Sequence, residues 1–301
     1  MSEGTCAVPM VWQTSRFAIR LDKPKVMGIV NVTPDSFSDG SGVIDQATVF
    51  ARCDLLLKDG ADILDLGAES TRPGAMPVPE ADECSRLLPV LRYAVSLGVP
   101  VSVDTYKPAV MQMALDVGAD IINDVWALRW PGDSAARRGD RIVAGHPQCG
   151  VCLMHMHGDP ETMQVSPMSG DIVPDVRAFL LQAASDLAQA GVAPARICLD
   201  PGVGFGKTVP QNFSLLAQQK QFSSLGYPVL AGWSRKSSLG AVLRQGAATL
   251  PRERVAASVA AAVLAVNQGA HIVRVHDVRE TVDALAVWSA MQTQINHYSN
   301  I

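Results

Sequence analysis

The chain has 301 residues, of which 48% are hydrophobic, and a formal net charge of −4. A chain of this size can bury one large core, and single α/β barrels commonly have this length, so one domain is favoured over two. The charges are not gathered into blocks of like sign, which argues against a nucleic-acid or anionic-membrane partner. A small-molecule ligand is therefore favoured.

The N-terminal residues carry no signal that would send the chain out of the cell. They lack a basic segment followed by an apolar run and a small-residue cleavage site, and no later segment is apolar for long enough to span a bilayer. We therefore expect a cytoplasmic protein. Residues 1–13 are expected to form a flexible tail, and residues 14–301 a single barrel domain. The six cysteines are too few for a disulfide framework in a chain of this length.

Short apolar runs of strand length recur along the whole chain. Each is apolar on successive residues, as in parallel strands that are buried on both faces. The runs are residues 26–30, 63–66, 101–103, 121–122, 151–154, 197–199, 229–231 and 272–275. Helix-length segments lie between them, at residues 45–59, 81–97, 109–117, 174–190 and 252–268.

This alternation of strands and helices predicts a (β/α)₈ TIM barrel. An open doubly wound sheet is the alternative, but the first strand is not followed by a Gly-rich dinucleotide fingerprint. Residues 17–21 alternate between apolar and polar, so we expect an N-terminal β-hairpin that closes the barrel floor. Residues 130–150 have weak periodicity and are expected to include a variable surface loop.

Polar residues follow nearly every predicted strand. In strand order they are Asn31, Glu69, Asp104, Asn123, His155, Asp200, residues 234–237, and Arg274 with His276. A single strand-end Asp or Asn is often only a turn former or helix cap. A barrel, however, brings all its strand ends to one face, where so many buried polar groups need a ligand or partners. The set therefore predicts one site.

Two kinds of ligand group fit this set. Asp104, Asn123 and Asp200 offer acceptors and Lys236 adds a donor, which suits a planar heterocycle with a donor edge and a carbonyl.

Arg274 and His276 lie two residues apart on the last strand, so they point the same way and, with Asn31 opposite, suit an anion. A diphosphate would bring Mg²⁺. The Asn31 amide oxygen is a hard ligand for that ion, with Asp35 or Asp39 as a possible second.

Two other interpretations stay open at this point. Residues 201–208 resemble a phosphate-binding P-loop, but Pro201 replaces its first Gly and Pro210 discourages a helix, so a substrate loop is favoured. Lys236 could instead form a Schiff base on an aldolase-like barrel, a role open to a lysine that is desolvated near other cations, such as the neighbouring Arg235.

The strand-end motifs resemble those of the bacterial dihydropteroate synthase family. The resemblance runs from about residue 25 to residue 282 and keeps the family's order. Its motifs are Val26-Met-Gly-Ile-Val-Asn-Val-Thr-Pro-Asp-Ser-Phe-Ser-Asp-Gly40, Glu69-Ser-Thr-Arg-Pro-Gly-Ala75, Ser102-Val-Asp-Thr105, Ile122-Asn-Asp124, Leu153-Met-His-Met156, Leu199-Asp-Pro-Gly202, Ser234-Arg-Lys-Ser237 and Arg274-Val-His-Asp277.

The resemblance implies a homodimeric transferase of folate biosynthesis. It would join (7,8-dihydropterin-6-yl)methyl diphosphate to 4-aminobenzoate, giving 7,8-dihydropteroate and diphosphate. It implies that the pterin is bound by Asp104, Asn123, Met154, Asp200 and Lys236. The implied diphosphate contacts are Asn31, which also holds Mg²⁺, and Thr71, Arg274 and His276. The implied aminobenzoate contacts, where sulfonamides would compete, are Phe37, Thr71, Arg72, Pro73, Gly204, Phe205 and Ser237.

The residues are also consistent with the mechanism that the resemblance implies. An electron-rich dihydropterin can lose Mg²⁺-bound diphosphate in an S_N1-like step, and Asp104 and Asp200 would stabilise the cation, with Lys236 completing the catalytic set. The arylamine is unprotonated at neutral pH, so its attack needs no strong base. A pterin-binding methyltransferase and a non-catalytic pterin-binding module are the rival hypotheses; the former has no use for Arg274 or His276.

Overall fold

A computed structural model describes residues 10–33, 45–70, 75–130, 132, 138–160, 162–243 and 249–299. Within these ranges the strands are β1 Val11–Gln13, β2 Ala18–Arg20, β3 Lys25–Asn31, β4 Ile63–Gly67, β5 Val101–Asp104, β6 Ile121–Asp124, β7 Gly150–Met154, β8 Ile197–Asp200, β9 Leu230–Ala231 and β10 Ile272–Val275. The α-helices are α1 Gln46–Lys58, α2 Glu80–Ser96, α3 Pro108–Val117, α4 Gly139–Gly145, α5 Val173–Gln189, α6 Val209–Ala217, α7 Lys220–Ser223, α8 Ser237–Val242, α9 Val255–Asn267 and α10 Val278–Ser299.

Strands β3 to β10 form one parallel sheet, in the order β8-β7-β6-β5-β4-β3-β10-β9. A parallel bridge between Leu199 and Val229 joins the two ends, so the sheet closes on itself. Helices lie between successive strands and cover the outside of the barrel. Their apolar side chains pack against those of the strands in one large core. The predicted (β/α)₈ barrel is confirmed.

A two-stranded hairpin closes the floor of the barrel, as predicted. β1 and β2 pair antiparallel, with Trp12 opposite Ile19. Trp12 is fully buried, and its indole Nε1 donates to the Arg196 carbonyl at 2.9 Å. The predicted tail therefore extends too far: residues 11–13 belong to the hairpin, because the Trp12 ring fills the floor between the strands. Residues 1–9 lie outside the described ranges.

The segment 130–150 is less irregular than its sequence indicates. Its described part contains α4, which spans only seven residues. Val143 is fully buried on this helix, and Gly139 lets the backbone approach Met111 and Leu128 closely. So short a helix shows hardly two turns of periodicity, which is why its pattern is weak.

The carboxyl ends of the barrel strands meet at one rim, the mouth of the barrel. Side chains alternate along each strand, so Asp65 of β4 and Asp104 of β5 share the inner face with their neighbours. Asp104 is in register with Asn123, and Asp65 with Ser102. None of the helices in the described part of the chain combines the length and apolar character that a membrane span requires.

Candidate active site

The mouth of the barrel contains a cavity of about 360 Å³. Its wall includes every predicted site residue that the structure describes: Asn31, Asp104, Asn123, Met154, Asp200, Gly204, Phe205, Lys236, Ser237, Arg274 and His276. Four other predicted contacts, Phe37, Thr71, Arg72 and Pro73, lie outside the described residues, as do Asp35 and Asp39. The barrel thus brings eleven separate sequence positions to one cavity.

Arg274 is held between two carboxylates on the inner wall. Its Nε donates to Asp65 Oδ2 and its Nη2 to Asp104 Oδ2, both at 2.6 Å. Burial works against the charge, but the two carboxylates outweigh it and raise the pKa of Arg274. The guanidinium is therefore a fixed cation in the cavity wall.

The acidic groups of the cavity sit where water is scarce. Burial raises the pKa of Asp104, although Arg274 opposes the rise. Burial also raises the pKa of Asp200, against the donor Gly202 N, which lies 2.7 Å from Asp200 Oδ1, and the charge of Lys236. Because burial destabilises their charged form, these carboxylates favour a ligand that brings hydrogen-bond donors or positive charge.

Lys236 stands at the start of α8 and faces the loop that follows β8. Its Nζ lies 4.2 Å from the centroid of the Phe205 ring, a cation–π contact. The preceding Arg235 adopts a left-handed backbone with a φ of 60°, and its Nε donates to Asp277 at 3.0 Å. The Arg235 guanidinium is thus directed to Asp277, and the tight turn presents Lys236 to the cavity.

The hydrogen bonds of Ser234 orient the ring of His276. Ser234 Oγ accepts from the His276 backbone N–H at 3.1 Å and lies 2.9 Å from His276 Nδ1. A hydroxyl has one proton and two acceptor lone pairs, so this contact orients the ring in either tautomer. When Nε2 carries a proton, it is a donor suited to an anion.

The loop after β8 is tied from beneath by a buried lysine. Lys207 Nζ donates to the carbonyls of Gly202 at 2.8 Å, Phe205 at 3.0 Å and His155 at 3.2 Å. Burial lowers the pKa of Lys207 to about 7, despite the opposing charge of Asp200. Lys207 therefore shapes the substrate loop and is not a phosphate-binding lysine.

A second buried lysine holds the rim beside β4. Glu69 lines the cavity and forms an ion pair with Lys107, whose Nζ also donates to Glu83 Oε2 at 2.6 Å. Tyr106 OH donates to the other Glu69 oxygen at 2.6 Å. The network fixes the carboxylate of Glu69 at the edge of the cavity.

One strand-end residue of the sequence analysis does not reach the cavity. His155 is buried with its ring edge against Phe179, at 4.9 Å between centroids. Burial, with help from the charge of Lys207, lowers the pKa of His155 to about 2. The polar residue after the fifth predicted strand, which is β7, is therefore a neutral core group, because its side chain turns outward toward α5.

The sequence analysis also missed several residues that line the cavity, and it missed Asp65, which lies behind the cavity wall and binds Arg274. Asp65 was hidden because it stands inside an apolar run, and a lone carboxylate within a strand carried no motif. The lone charge within that run was the available signal. Others come from loops whose approach to the cavity depends on the whole fold: Val125, Met163, Gln164, Val203, Pro251 and Arg254.

The residues at the mouth fit a magnesium ion only if the substrate supplies most of its ligands. Among the described residues, no group of three or more His, Cys, Asp or Glu side chains could hold a metal. Mg²⁺, however, is commonly bound by one or two protein oxygens together with substrate phosphates. Asn31 lines the cavity at the end of β3 and offers such an oxygen.

Comparison with known proteins agrees with this geometry. The family model described as pterin binding enzyme matches residues 27–276. The dihydropteroate synthase of Neisseria meningitidis serogroup B is 48% identical over 287 residues, which cover 93% of this chain and 97% of the relative.

Two solved structures are also similar. Burkholderia cenocepacia dihydropteroate synthase complexed with 7,8-dihydropteroate has a TM-score of 0.85 at 47% identity, covering 96% of this chain and 99% of that one. The Yersinia pestis dihydropteroate synthase with a sulfonamide drug complex has a TM-score of 0.86 at 40% identity, covering 94% and 100%. This chain therefore belongs to the pterin-binding enzyme family and, within it, to the dihydropteroate synthases.

Proposed function

We propose that this protein joins (7,8-dihydropterin-6-yl)methyl diphosphate to 4-aminobenzoate, giving 7,8-dihydropteroate and diphosphate in folate biosynthesis. The observation that carries the proposal is a single cavity lined by two kinds of group. One kind is the acceptors Asp104, Asn123 and Asp200, and the other is the cation Arg274 with the imidazole of His276. A pterin with a diphosphate arm has the matching groups.

The pterin is assigned to the acceptors in the cavity wall. Asp104 and Asp200 carry carboxylates with raised pKa values, and donors of the pterin ring would relieve both. Asn123 supplies an amide that can accept and donate, and Lys236 supplies a donor for a ring carbonyl or nitrogen. Met154, which is buried in the same wall, provides an apolar face for the ring.

The diphosphate is assigned to Arg274, His276 and Asn31. Arg274 offers charge-assisted hydrogen bonds, and His276 offers another when its Nε2 carries a proton. Asn31 would hold Mg²⁺ together with the diphosphate oxygens. When bound, the ion neutralises charge on the leaving diphosphate. Thr71 is proposed as a further diphosphate contact.

The aminobenzoate is assigned to the space between the loop after β8 and the start of α8. Gly204, Phe205 and Ser237 line this part of the cavity. Gly204 has a φ of +84° and lies against the Lys236 side chain, so a larger residue there would be strained and would press on that lysine. The proposed remaining contacts are Phe37, Thr71, Arg72 and Pro73.

The chemistry needs electrostatic stabilisation more than proton transfer. Loss of diphosphate leaves positive charge on the pterin methylene and ring, and the carboxylates of Asp104 and Asp200 lie where they would stabilise that charge. These groups are already fixed and desolvated before the reaction, so little reorganisation is required. The arylamine nitrogen then attacks the methylene carbon, and its proton leaves to solvent.

The direct test is diphosphate release measured with both substrates and Mg²⁺. We expect release to depend on aminobenzoate and to yield dihydropteroate in equal amount. A pterin-binding methyltransferase would release no diphosphate, and a non-catalytic module would bind the pterin without turnover. A Schiff-base mechanism predicts that borohydride traps a carbonyl compound on Lys236, and no adduct is expected.

Sulfonamides are proposed to compete with aminobenzoate. Two observations support the proposal: Phe205 and Ser237 line the cavity, and the Yersinia pestis relative has been solved with a sulfonamide drug complex. Inhibition should raise the KM for aminobenzoate and leave kcat unchanged. Inhibition that lowers kcat alone would place the drug elsewhere.

We also propose a homodimer that acts in the cytoplasm. The support for a dimer is a row of exposed apolar residues on α10, namely Val287, Met291 and Ile295, spaced four apart on one face; the neighbouring helix α9 also exposes Leu264. Light scattering should give twice the chain mass, and Val287→Glu with Met291→Glu should give the monomer. The five described cysteines are free thiols, as a reducing compartment would keep them.

A further inference from the structure

Asp65 is a carboxylate at a position where the barrel needs an apolar residue. It is the middle residue of β4, between Leu64 and Leu66. Its side chain is 0% exposed, so it is buried from both the solvent and the cavity. An ionised carboxylate in such a place is strongly unfavourable without a partner. That partner is Arg274, whose Nε donates to Asp65 Oδ2 at 2.6 Å.

Arg274 divides its donors between this buried carboxylate and an accessible one. Its Nη2 donates to Asp104, whose side chain is 14% exposed, while Arg274 itself is 22% exposed. A ligand in the cavity can therefore contact Arg274 and Asp104 but not Asp65. Asp65 therefore acts on a ligand through the residues it holds. The main one is Arg274 at 2.6 Å, and the second is the Asn123 amide, whose Nδ2 donates to Asp65 Oδ2 at 3.5 Å.

The second oxygen of Asp65 has no hydrogen-bond partner in the described part of the protein. The Nε and Nη2 edge of a guanidinium matches the two oxygens of one carboxylate, in a bidentate pair. Oδ1 of Asp65 is thus an acceptor of the right kind, on the same carboxylate that already binds Nε. It can receive the Nη2 proton whenever Arg274 releases Asp104.

We propose that Asp65 is a positioning residue that lets Arg274 exchange partners when substrate binds, an inference that depends on the proposed function. Without substrate, Arg274 bridges Asp65 and Asp104. When donors of the pterin ring bind Asp104, Nη2 moves to Asp65 Oδ1 and the guanidinium becomes bidentate on Asp65. Arg274 then stays at the mouth, with Nη1 toward the diphosphate, while Asp104 serves the pterin.

The exchange can be observed directly in the wild-type protein. Crystal structures should be compared without ligand and with the pterin diphosphate. We expect Nη2 within about 3 Å of Asp65 Oδ1 in the complex. A complex in which Arg274 keeps its bond to Asp104, or leaves Asp65 altogether, would overturn the proposal even if no variant folds.

Binding to variants provides the second test. Asp65→Asn removes the charge that holds Arg274, so the Kd for the pterin diphosphate should rise about 10-fold or more, whereas the Kd for a pterin without diphosphate should change far less. The matched control is Asp120→Asn, because Asp120 is an equally buried carboxylate that pairs with Arg16 at 2.6 Å on the barrel floor. This control should leave both Kd values unchanged.

A cycle with Arg274→Met separates positioning from general damage. If Asp65 acts through Arg274, the double variant should bind the diphosphate ligand no more weakly than Arg274→Met alone. Additive losses, or equal losses for the two pterin ligands, would overturn the role of Asp65. Failure of the wild type to release diphosphate would instead refute the proposed function, so the two failures are distinguishable.

Discussion

Arginine–carboxylate pairs occur at both ends of the barrel, and they differ in how completely their oxygens are satisfied. At the floor, Asp120 Oδ1 accepts from both N and Nε of Arg16 at 3.0 Å, and its Oδ2 accepts from Arg16 Nη2 at 2.6 Å and from Val101 N at 2.9 Å. At the mouth, Arg274 donates to two carboxylates, Asp65 and Asp104. Among the described residues, one oxygen of Asp65 has no hydrogen-bond partner.

The difference separates a structural pair from a functional one. The floor pair joins the hairpin to β5 and β6 and has no accessible ligand face. The mouth pairs leave Asp104, whose pKa is raised by burial, beside a cavity, an arrangement that reduces stability until a ligand completes it. Substitutions at the two ends should therefore have opposite effects on activity and stability.

The largest effect is expected from removing charge at the mouth. Asp104→Ala and Lys236→Ala should each lower kcat/KM roughly 1,000-fold, because each removes a preorganised group that we propose contacts the reacting pterin. Circular dichroism and the melting temperature should stay close to wild type. Lys25→Ala is the matched floor control, since Lys25 pairs with Asp62 at 2.9 Å away from the cavity. Activity retained in either mouth variant would contradict the assignment of the site.

The next largest effect is expected from breaking the floor pair. Asp120→Asn should reduce the free energy of unfolding by roughly 3 kcal/mol, because it leaves the Arg16 guanidinium without its carboxylate. Urea unfolding measures the change, and steady-state kinetics of the folded protein should give unchanged kcat and KM. A substantial change in KM would mean that the floor and mouth are coupled.

The same contrast explains what the sequence could predict. The barrel followed from eight apolar runs, and the cavity residues Asp104, Asn123 and Asp200 followed from their places at strand ends. Asp65 was missed because its role depends on Arg274, which is 209 residues away along the chain.

The loop contacts Met163 and Gln164 were missed for a related reason: Gln164 lines the cavity and donates to the carbonyl of Gly204, 40 residues along the chain, at 2.8 Å. His155 was assigned to the mouth because position after a strand does not determine the direction in which a side chain turns. Interactions between distant segments thus remain the part that local patterns do not contain.

A pH-dependent effect is expected from Lys207, which supports the mouth from below. Its pKa is lowered to about 7 in the folded protein, against an ordinary value of 10.5, and burial is the main cause. Between these two pH values the unfolded chain binds more protons than the folded one, so this group makes the free energy of unfolding rise with pH. Urea unfolding at pH 7, 8 and 9 should show this rise in the wild type relative to Lys207→Met. Parallel curves for the two proteins would show that Lys207 stays charged in its cage of carbonyls.

The smallest effect is expected from Ser102, which lies beside Asp65 on the inner face. Its hydroxyl is buried and has no hydrogen-bond partner in the described part of the chain, so its desolvation is not compensated by protein. Ser102→Ala should therefore leave the melting temperature unchanged or raise the free energy of unfolding by up to about 1 kcal/mol. The floor control is Thr14→Val, which removes a hydroxyl that donates to the Phe17 carbonyl at 2.9 Å and should destabilise the protein by a similar amount. If both substitutions destabilise the protein equally, the Ser102 hydroxyl is hydrogen-bonded as well as the Thr14 hydroxyl. The contrast between mouth and floor would then not include the residues beneath the cavity.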